Sequence, residues 1–182
     1  YQVISNGSLA RSSIAPAPGA AGAPGAVRST RTVEYVVDRP ARYLSCLITR
    51  LVEIGRAKVD VPAVAQSATD EAKTAAVVNL EVVATPRLVT TDRQVPARVT
   101  DMVRLYADLV GEAPYPGFTV AGVEDNLPGG HSPAFFAIWL QPMPSTPYSW
   151  TNDPLSLDAR YPLFFLAHEV AHQWWGQAVG WK

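Results

Sequence analysis

The chain has 182 residues, a net charge of −1 from 15 basic and 16 acidic side chains, and 48% hydrophobic content. This composition can form a core and carries no basic run for nucleic acid, so we expect no nucleic-acid partner. No stretch of eighteen or more apolar residues occurs, and we predict no membrane segment. The single cysteine, Cys46, excludes an intrachain disulfide and a cysteine-based zinc site, and we expect it to be a small core residue.

The first thirty residues are predicted to be a flexible linker or loop. Residues 11–30 are rich in Ala, Gly and Pro and contain little that could be buried to offset the entropy of ordering. From Arg31 the character changes, because RTVEYVV alternates and residues 43–54 are β-branched and apolar. These two segments predict two or three strands.

The second half of the chain predicts strands and two helices. Between Val95 and Gly111 the apolar residues recur at three- and four-residue intervals, which is typical of one helix face, and glycine is a common helix stop. The final helix is predicted from about Tyr161 to Gln177, after an irregular Pro- and Ser-rich loop. The predicted strands are Ala76 to Ala84, Phe118 to Val123 and Ala134 to Leu140.

The final helix contains the sequence His168-Glu-Val-Ala-His172. Residues four apart project from the same helix face, so both imidazoles can reach one ion. Glu169 lies where a carboxylate can take a proton from a metal-activated water, and the pattern predicts Zn²⁺ bound by His168 and His172 with Glu169 as general base. The alternative is that both histidines are ordinary helix residues with core partners. The glutamate between them and the apolar lead-in favour the zinc site.

The motif continues as HEVAHQWWG, which resembles the HELAHQWFG signature of zinc aminopeptidases of the aminopeptidase N type, the gluzincin group with a thermolysin-like catalytic domain. The resemblance implies an α+β fold: residues 31–75 would be strands of an N-terminal β domain, and residues 76–182 the first half of a zincin domain with a mostly antiparallel sheet and an active-site helix. It implies that Trp174 and Trp175 pack the helix end.

In that family a glutamate completes the zinc site, and eighteen residues separate it from the second histidine. Counted from His172, this glutamate would lie past Lys182. A downstream tyrosine that stabilises the tetrahedral intermediate would also lie past this residue. We therefore expect the chain to be an internal fragment of a longer protein, truncated before the third zinc ligand and inactive alone.

The segment before the helix departs from the family pattern. Aminopeptidases of this type carry a GAMEN-like segment whose glutamate holds the free amine of the substrate, whereas this chain has LPGGHSPAFF at residues 127–136. Gly129 and Gly130 could still let a substrate backbone approach an edge strand. Glu124 and Asp125 lie just upstream and could replace the missing carboxylate, or could be solvated. The departure leaves exopeptidase and endopeptidase action both open.

His131 follows the two glycines and has two interpretations. It could contact substrate or join the metal site, or it could be a loop residue bonded to backbone. The Pro-rich loop from Pro142 to Pro154, with Tyr148 and Trp150, could line the cleft or pack as a surface loop.

These observations predict that the intact protein is a zinc metallopeptidase whose partner is a peptide or protein substrate. The alternative is a binding or scaffold module that keeps the fold without aminopeptidase activity, which the missing GAMEN segment favours. The intact set of His168, Glu169 and His172 argues against it, since a scaffold needs no base between two ligands.

Overall fold

The computed structural model describes residues 1–16, 29–61, 76–90, 93–124, 130–141 and 164–179. Strands predominate in these ranges, and two helices accompany them, so the α+β class is confirmed. The elements in chain order are β1 (Gln2–Ser5), β2 (Ser8–Pro16), β3 (Ser29–Val36), β4 (Cys46–Thr49), β5 (Val52–Val61), β6 (Ala76–Ala84), α1 (Val95–Val110), β7 (Gly117–Glu124), β8 (Gly130–His131), β9 (Phe136–Gln141) and α2 (Phe164–Ala171).

A five-stranded sheet in the order β5-β6-β7-β9-β8 forms the centre of the fold. The prediction of a mostly antiparallel sheet is wrong for this sheet, because β6 pairs with β7 and β7 with β9 in parallel. The outer pairs, β5 with β6 and β8 with β9, are antiparallel. Helix α1 connects β6 to β7 and returns the chain to the starting edge, which makes these two strands parallel.

Both helices contribute to the larger hydrophobic cluster on one side of the sheet. Val99 and Val103 lie on the buried face of α1, as predicted, whereas the apolar Leu109 and Val110 near its end are exposed. Helix α2 adds Leu166 and Val170 to the cluster. A second cluster joins Ile4 and Leu51 to Val83, Ala121 and Phe136 of the sheet. Strand alternation places these two sets of sheet side chains on opposite faces, so β1 and its partner β4 cover the face away from the helices.

The N-terminal region differs from the predicted linker. Strands β1 and β2 occupy much of residues 1–16, and β2 pairs with β3 in an antiparallel hairpin that closes at Pro16 and Ser29. Every residue of β2 is exposed, so backbone pairing rather than burial orders it, and composition could not reveal this strand. Residues 17–28 of the predicted linker lie outside the described residues. Cys46, expected in the core, is exposed on β4.

The predicted domain boundary after residue 75 separates two strands that the structure pairs. β5 and β6 form a continuous antiparallel ladder from Val52 opposite Ala84 to Val61 opposite Ala76, with one register shift. The strand assigned to an N-terminal β domain therefore belongs to the central sheet.

No helix among the described residues is long and apolar enough to cross a membrane. The Pro-rich loop from Pro142 to Pro154, including Tyr148 and Trp150, lies outside the described ranges.

Candidate metal centre

Helix α2 is held against the sheet by its apolar face and by two polar contacts on the α1 side. Leu166 and Val170 are fully buried. The Tyr106 hydroxyl of α1 donates to the Ala167 carbonyl at 3.0 Å, and the Trp174 indole N–H donates to the Glu112 carbonyl at 2.6 Å. Burial of Leu166 and Val170 against the sheet sets the orientation of the helix and places its exposed side chains on the other face.

His168 and His172 lie together on that other face. Their Nε2 atoms are 3.0 Å apart, and their ligand atoms and those of Glu169 all lie within 4.8 Å of one another. Two nitrogens that bind one tetrahedral zinc at about 2.0–2.1 Å are separated by about 3.3 Å, so this pair needs little adjustment to share an ion. The donor set of two imidazoles beside a carboxylate suits zinc.

The tautomer of His172 is determined by a backbone carbonyl. Its Nδ1 atom lies 3.0 Å from the Trp175 carbonyl oxygen, which can only accept a hydrogen bond, so Nδ1 carries the proton. In the neutral ring Nε2 is then the acceptor, and its lone pair faces the His168 Nε2 atom. This arrangement is the usual way in which proteins orient a metal-binding histidine.

Glu169 is buried, with 5% of its surface exposed, in contrast to the exposed His168. Burial disfavours the charged carboxylate and raises its pKa from 4.5 to about 7. Gly130 of β8 lies directly over this side chain, because a Cβ at Gly130 would be 2.3 Å from Cγ of Glu169. A general base is most effective when its pKa is near the working pH, so this carboxyl group suits that role.

The raised pKa predicts a pH-dependent stability in chelator-treated protein. The folded state favours the protonated carboxyl, so its contribution is complete below pH 4.5 and is lost as pH rises through about 7. A shift of this size corresponds to a loss of roughly 3 kcal/mol, at about 1.4 kcal/mol per pH unit. Urea unfolding between pH 4.5 and 8 should show this loss in the wild type and not in Glu169→Gln. Equal pH slopes for the two proteins would contradict the assignment.

A buried polar network links α2 to the turn between β8 and β9. Gln173 donates through Nε2 to the Ser132 hydroxyl at 2.7 Å and to the Pro133 carbonyl at 2.9 Å, and its Oε1 accepts from the Phe135 N–H at 2.9 Å. The Ser132 hydroxyl donates in turn to the Glu169 carbonyl at 2.6 Å. Sequence reasoning missed both Gln173 and Ser132. The available signal was their position in the sequence: Ser132 directly follows Gly130-His131, and Gln173 directly follows His172.

The structure does not bring the His131 side chain to the histidine pair. Its ring stacks on Tyr43 with centroids 5.8 Å apart, and the Tyr43 hydroxyl lies 3.3 Å from Nε2. Because Gly130 faces Glu169 and strand residues alternate, His131 points to the opposite side of β8. Asp125 and Gly129, and the side chain of Glu124, lie outside the described residues.

The two tryptophans differ. Trp174 is 4% exposed and packs in the main cluster, as the resemblance implies, whereas Trp175 is 41% exposed and contacts the Tyr106 ring edge-on. The predicted helix to Gln177 ends earlier, at Ala171, and continues as turns. Gly176, within these turns, has a φ of 113°, a left-handed conformation that glycine adopts readily.

Comparisons with known proteins give structural matches only: no family model and no curated protein matches the sequence. An M1 zinc metallopeptidase from Deinococcus radiodurans superimposes with a TM-score of 0.55 and 15% identity, covering 98% of this chain and 32% of that one. A structure of the Deinococcus enzyme with a Tyr-Ser-Ala substrate gives 0.54 and 16% identity over the same shares. Legionella pneumophila aminopeptidase A, in complex with aspartic acid, gives 0.56 and 16% identity, covering 97% of this chain and 18% of that one.

At these identities the likeness shows the fold. Nearly the whole chain resembles M1 zinc aminopeptidase structures at low identity, and it spans about a third or less of their length. The candidate group of His168, Glu169 and His172 is thus present on a fold that resembles part of a zinc peptidase.

Proposed function

We propose that the protein containing this chain is a zinc-dependent metallopeptidase that hydrolyses peptide bonds near the N-terminus of its substrates. The observation that carries the proposal is the convergence of two imidazole nitrogens, 3.0 Å apart, beside a buried carboxylate. The likeness of the fold to M1 zinc metallopeptidases supports it.

In this proposal His168 and His172 hold the zinc, together with a ligand outside the described residues. Bound zinc supplies Lewis-acid activation of water and stabilises the negative charge that develops on the scissile carbonyl oxygen. The Glu169 carboxylate accepts the proton that the attacking water releases, and it can then deliver that proton to the departing amine. In the metal-free site its burial raises its pKa to about 7, which makes the carboxylate a stronger proton acceptor than an exposed glutamate.

The substrate backbone is proposed to pair with β8. In the five-stranded sheet this strand is at the end of the order and pairs with β9 only, so its other edge is open to an added strand within the part of the chain described. Gly130 lies against Glu169, so a peptide paired there would run beside the base. Gly129 and Gly130 are proposed to permit this close approach, and His131 to contribute through its backbone, since its ring stacks on Tyr43.

The second candidate function is a binding or scaffold module without turnover. Residues 127–136 favour it, because they contain no carboxylate to hold a free amine. In this alternative the edge of β8 would bind peptides, and the histidine pair would be a remnant.

The test uses the full-length protein with one equivalent of zinc. We expect one zinc per chain, hydrolysis of an alanine p-nitroanilide and tetraalanine, and loss of both activities after chelation. His168→Ala should lose zinc and hydrolysis together, whereas His131→Ala, with its ring outside the cluster, should keep the metal. N-acetyl-tetraalanine distinguishes the two peptidase modes, since an exopeptidase needs the free amine. Tight peptide binding with no hydrolysis would establish the scaffold and reject the enzyme.

A further inference from the structure

Gln173, in the turn that follows α2, makes more polar contacts than packing of that turn requires. Its side chain is 3% exposed, and besides the bonds to Ser132, Pro133 and Phe135 its Nε2 lies 3.4 Å from the Phe136 carbonyl. The amide thus uses both its donor and its acceptor groups on the four residues that lead into β9. A buried amide of this kind is costly unless every group is bonded, and here the bonds all go to one turn.

The turn that Gln173 holds is strained. Phe135 has a φ of 78°, which an aromatic residue rarely adopts, and it is the only non-glycine residue with positive φ among those described. The Gln173 Oε1 atom accepts from the N–H of this same residue. Strain of this kind persists only when surrounding contacts impose it, and the hydrogen bond from the Phe135 N–H to the Gln173 amide is one such contact.

The strained turn determines where β8 lies relative to the base. β8 has two residues, and the Ser132–Phe136 turn is its connection to β9, so the turn sets its position. The Ser132 hydroxyl bonds the Glu169 carbonyl at 2.6 Å, and Gln177 Nε2 donates to the Ser132 carbonyl at 2.8 Å. Ser132 of the turn is therefore hydrogen-bonded to the backbone of Glu169, whose side chain is the proposed base.

We propose that Gln173 and Ser132 are positioning residues that fix the peptide-binding edge of β8 at a set distance from Glu169. This inference rests on the proposed function. It predicts that their loss harms substrates that pair along β8 more than substrates too short to pair. Misplacement of reacting groups by about 1 Å can cost on the order of 100-fold in rate, and neither residue needs to touch substrate for such an effect.

The experiment compares full-length wild type with Gln173→Ala, Ser132→Ala and Tyr106→Phe, each at one zinc per chain. Tyr106→Phe is the matched control, because it removes one hydrogen bond to α2 from the side away from β8. We expect kcat/KM for tetraalanine to fall about 10- to 100-fold in the two network variants, and for alanine p-nitroanilide to fall less than about threefold. Tyr106→Phe should stay within about threefold for both substrates.

A second measurement, hydrogen exchange, accompanies the kinetic comparison and does not depend on activity. Hydrogen exchange of the Phe135 amide should be at least about tenfold faster in Gln173→Ala than in wild type, because this amide loses its acceptor. The amides of α1 keep their acceptors and should exchange at the wild-type rate. Equal losses for the long and short substrates, or an unchanged Phe135 amide, would overturn the positioning role alone. A wild type that hydrolyses neither substrate would overturn the proposed function, and with it the catalytic meaning of the network, whatever the exchange rates.

Discussion

Glu169→Gln in the full-length protein should retain one zinc per chain and lose peptide hydrolysis by about 10³-fold or more. Glutamine has almost the shape of glutamate, so the 5% exposed site next to Gly130 stays filled. It cannot accept a proton, however, and positioned general bases contribute about 10²–10⁴-fold to rate. The metal is retained because the two imidazoles, and not this carboxylate, are its proposed ligands.

The measurement is metal analysis together with kcat and KM for tetraalanine. Glu34→Gln is the matched control, since this glutamate forms an exposed pair with Arg11 on β2 and β3, and we expect wild-type turnover from it. A loss of zinc in Glu169→Gln would make Glu169 a ligand instead of a base. Undiminished turnover with zinc retained would remove it from the mechanism altogether.

The same substitution connects catalysis to stability. The carboxyl group is buried at a cost that appears as a pKa near 7, so the neutral glutamine should make the chelated fold more stable at pH 8 while abolishing turnover. A variant that gains stability and loses activity is the expected sign of a residue retained for chemistry.

Local patterns predicted the elements whose side chains meet the core. Val99 and Val103 recur with the helical period and are the buried face of α1, and the four-residue spacing of His168 and His172 places their rings together. These features depend on neighbours within one or two turns, and the sequence carries them directly.

Contacts between distant segments could not be predicted in this way. Ser132 and Gln173 are 41 residues apart, and their pairing depends on how β9 places the turn beside α2. The parallel alignment of β6 and β7 depends on the path of α1 across the sheet. β2 is exposed at every position, so no periodic pattern marks it, and the partner that orders it is β3.

Gly130 shows how such a distant contact constrains the site. An added Cβ would lie 2.3 Å from Cγ and 2.6 Å from Cδ of Glu169, and 2.7 Å from the Ile138 carbonyl oxygen. Real Cβ atoms do not approach other heavy atoms so closely, so either β8 or the glutamate must move. The Ile138 carbonyl belongs to the backbone of the paired strand β9, which cannot yield without breaking the pairing. The close contacts of the added Cβ must therefore be relieved by moving Glu169 or by moving β8.

Gly130→Ala should therefore lower kcat/KM for tetraalanine by about 100-fold and destabilise the fold by about 1–3 kcal/mol, as overpacking does. Gly117→Ala is the matched control in the same sheet, because its Cβ would meet only the Asn79 carbonyl oxygen at an ordinary 3.7 Å. Urea unfolding of Gly130→Ala in a Glu169→Ala background separates the two contacts. If Glu169 is the obstacle, removing its Cγ and Cδ should recover most of the lost stability; if the cost is unchanged, the Ile138 carbonyl is the obstacle and Gly130 acts on strand pairing. Wild-type turnover in Gly130→Ala would show that the base does not depend on this contact.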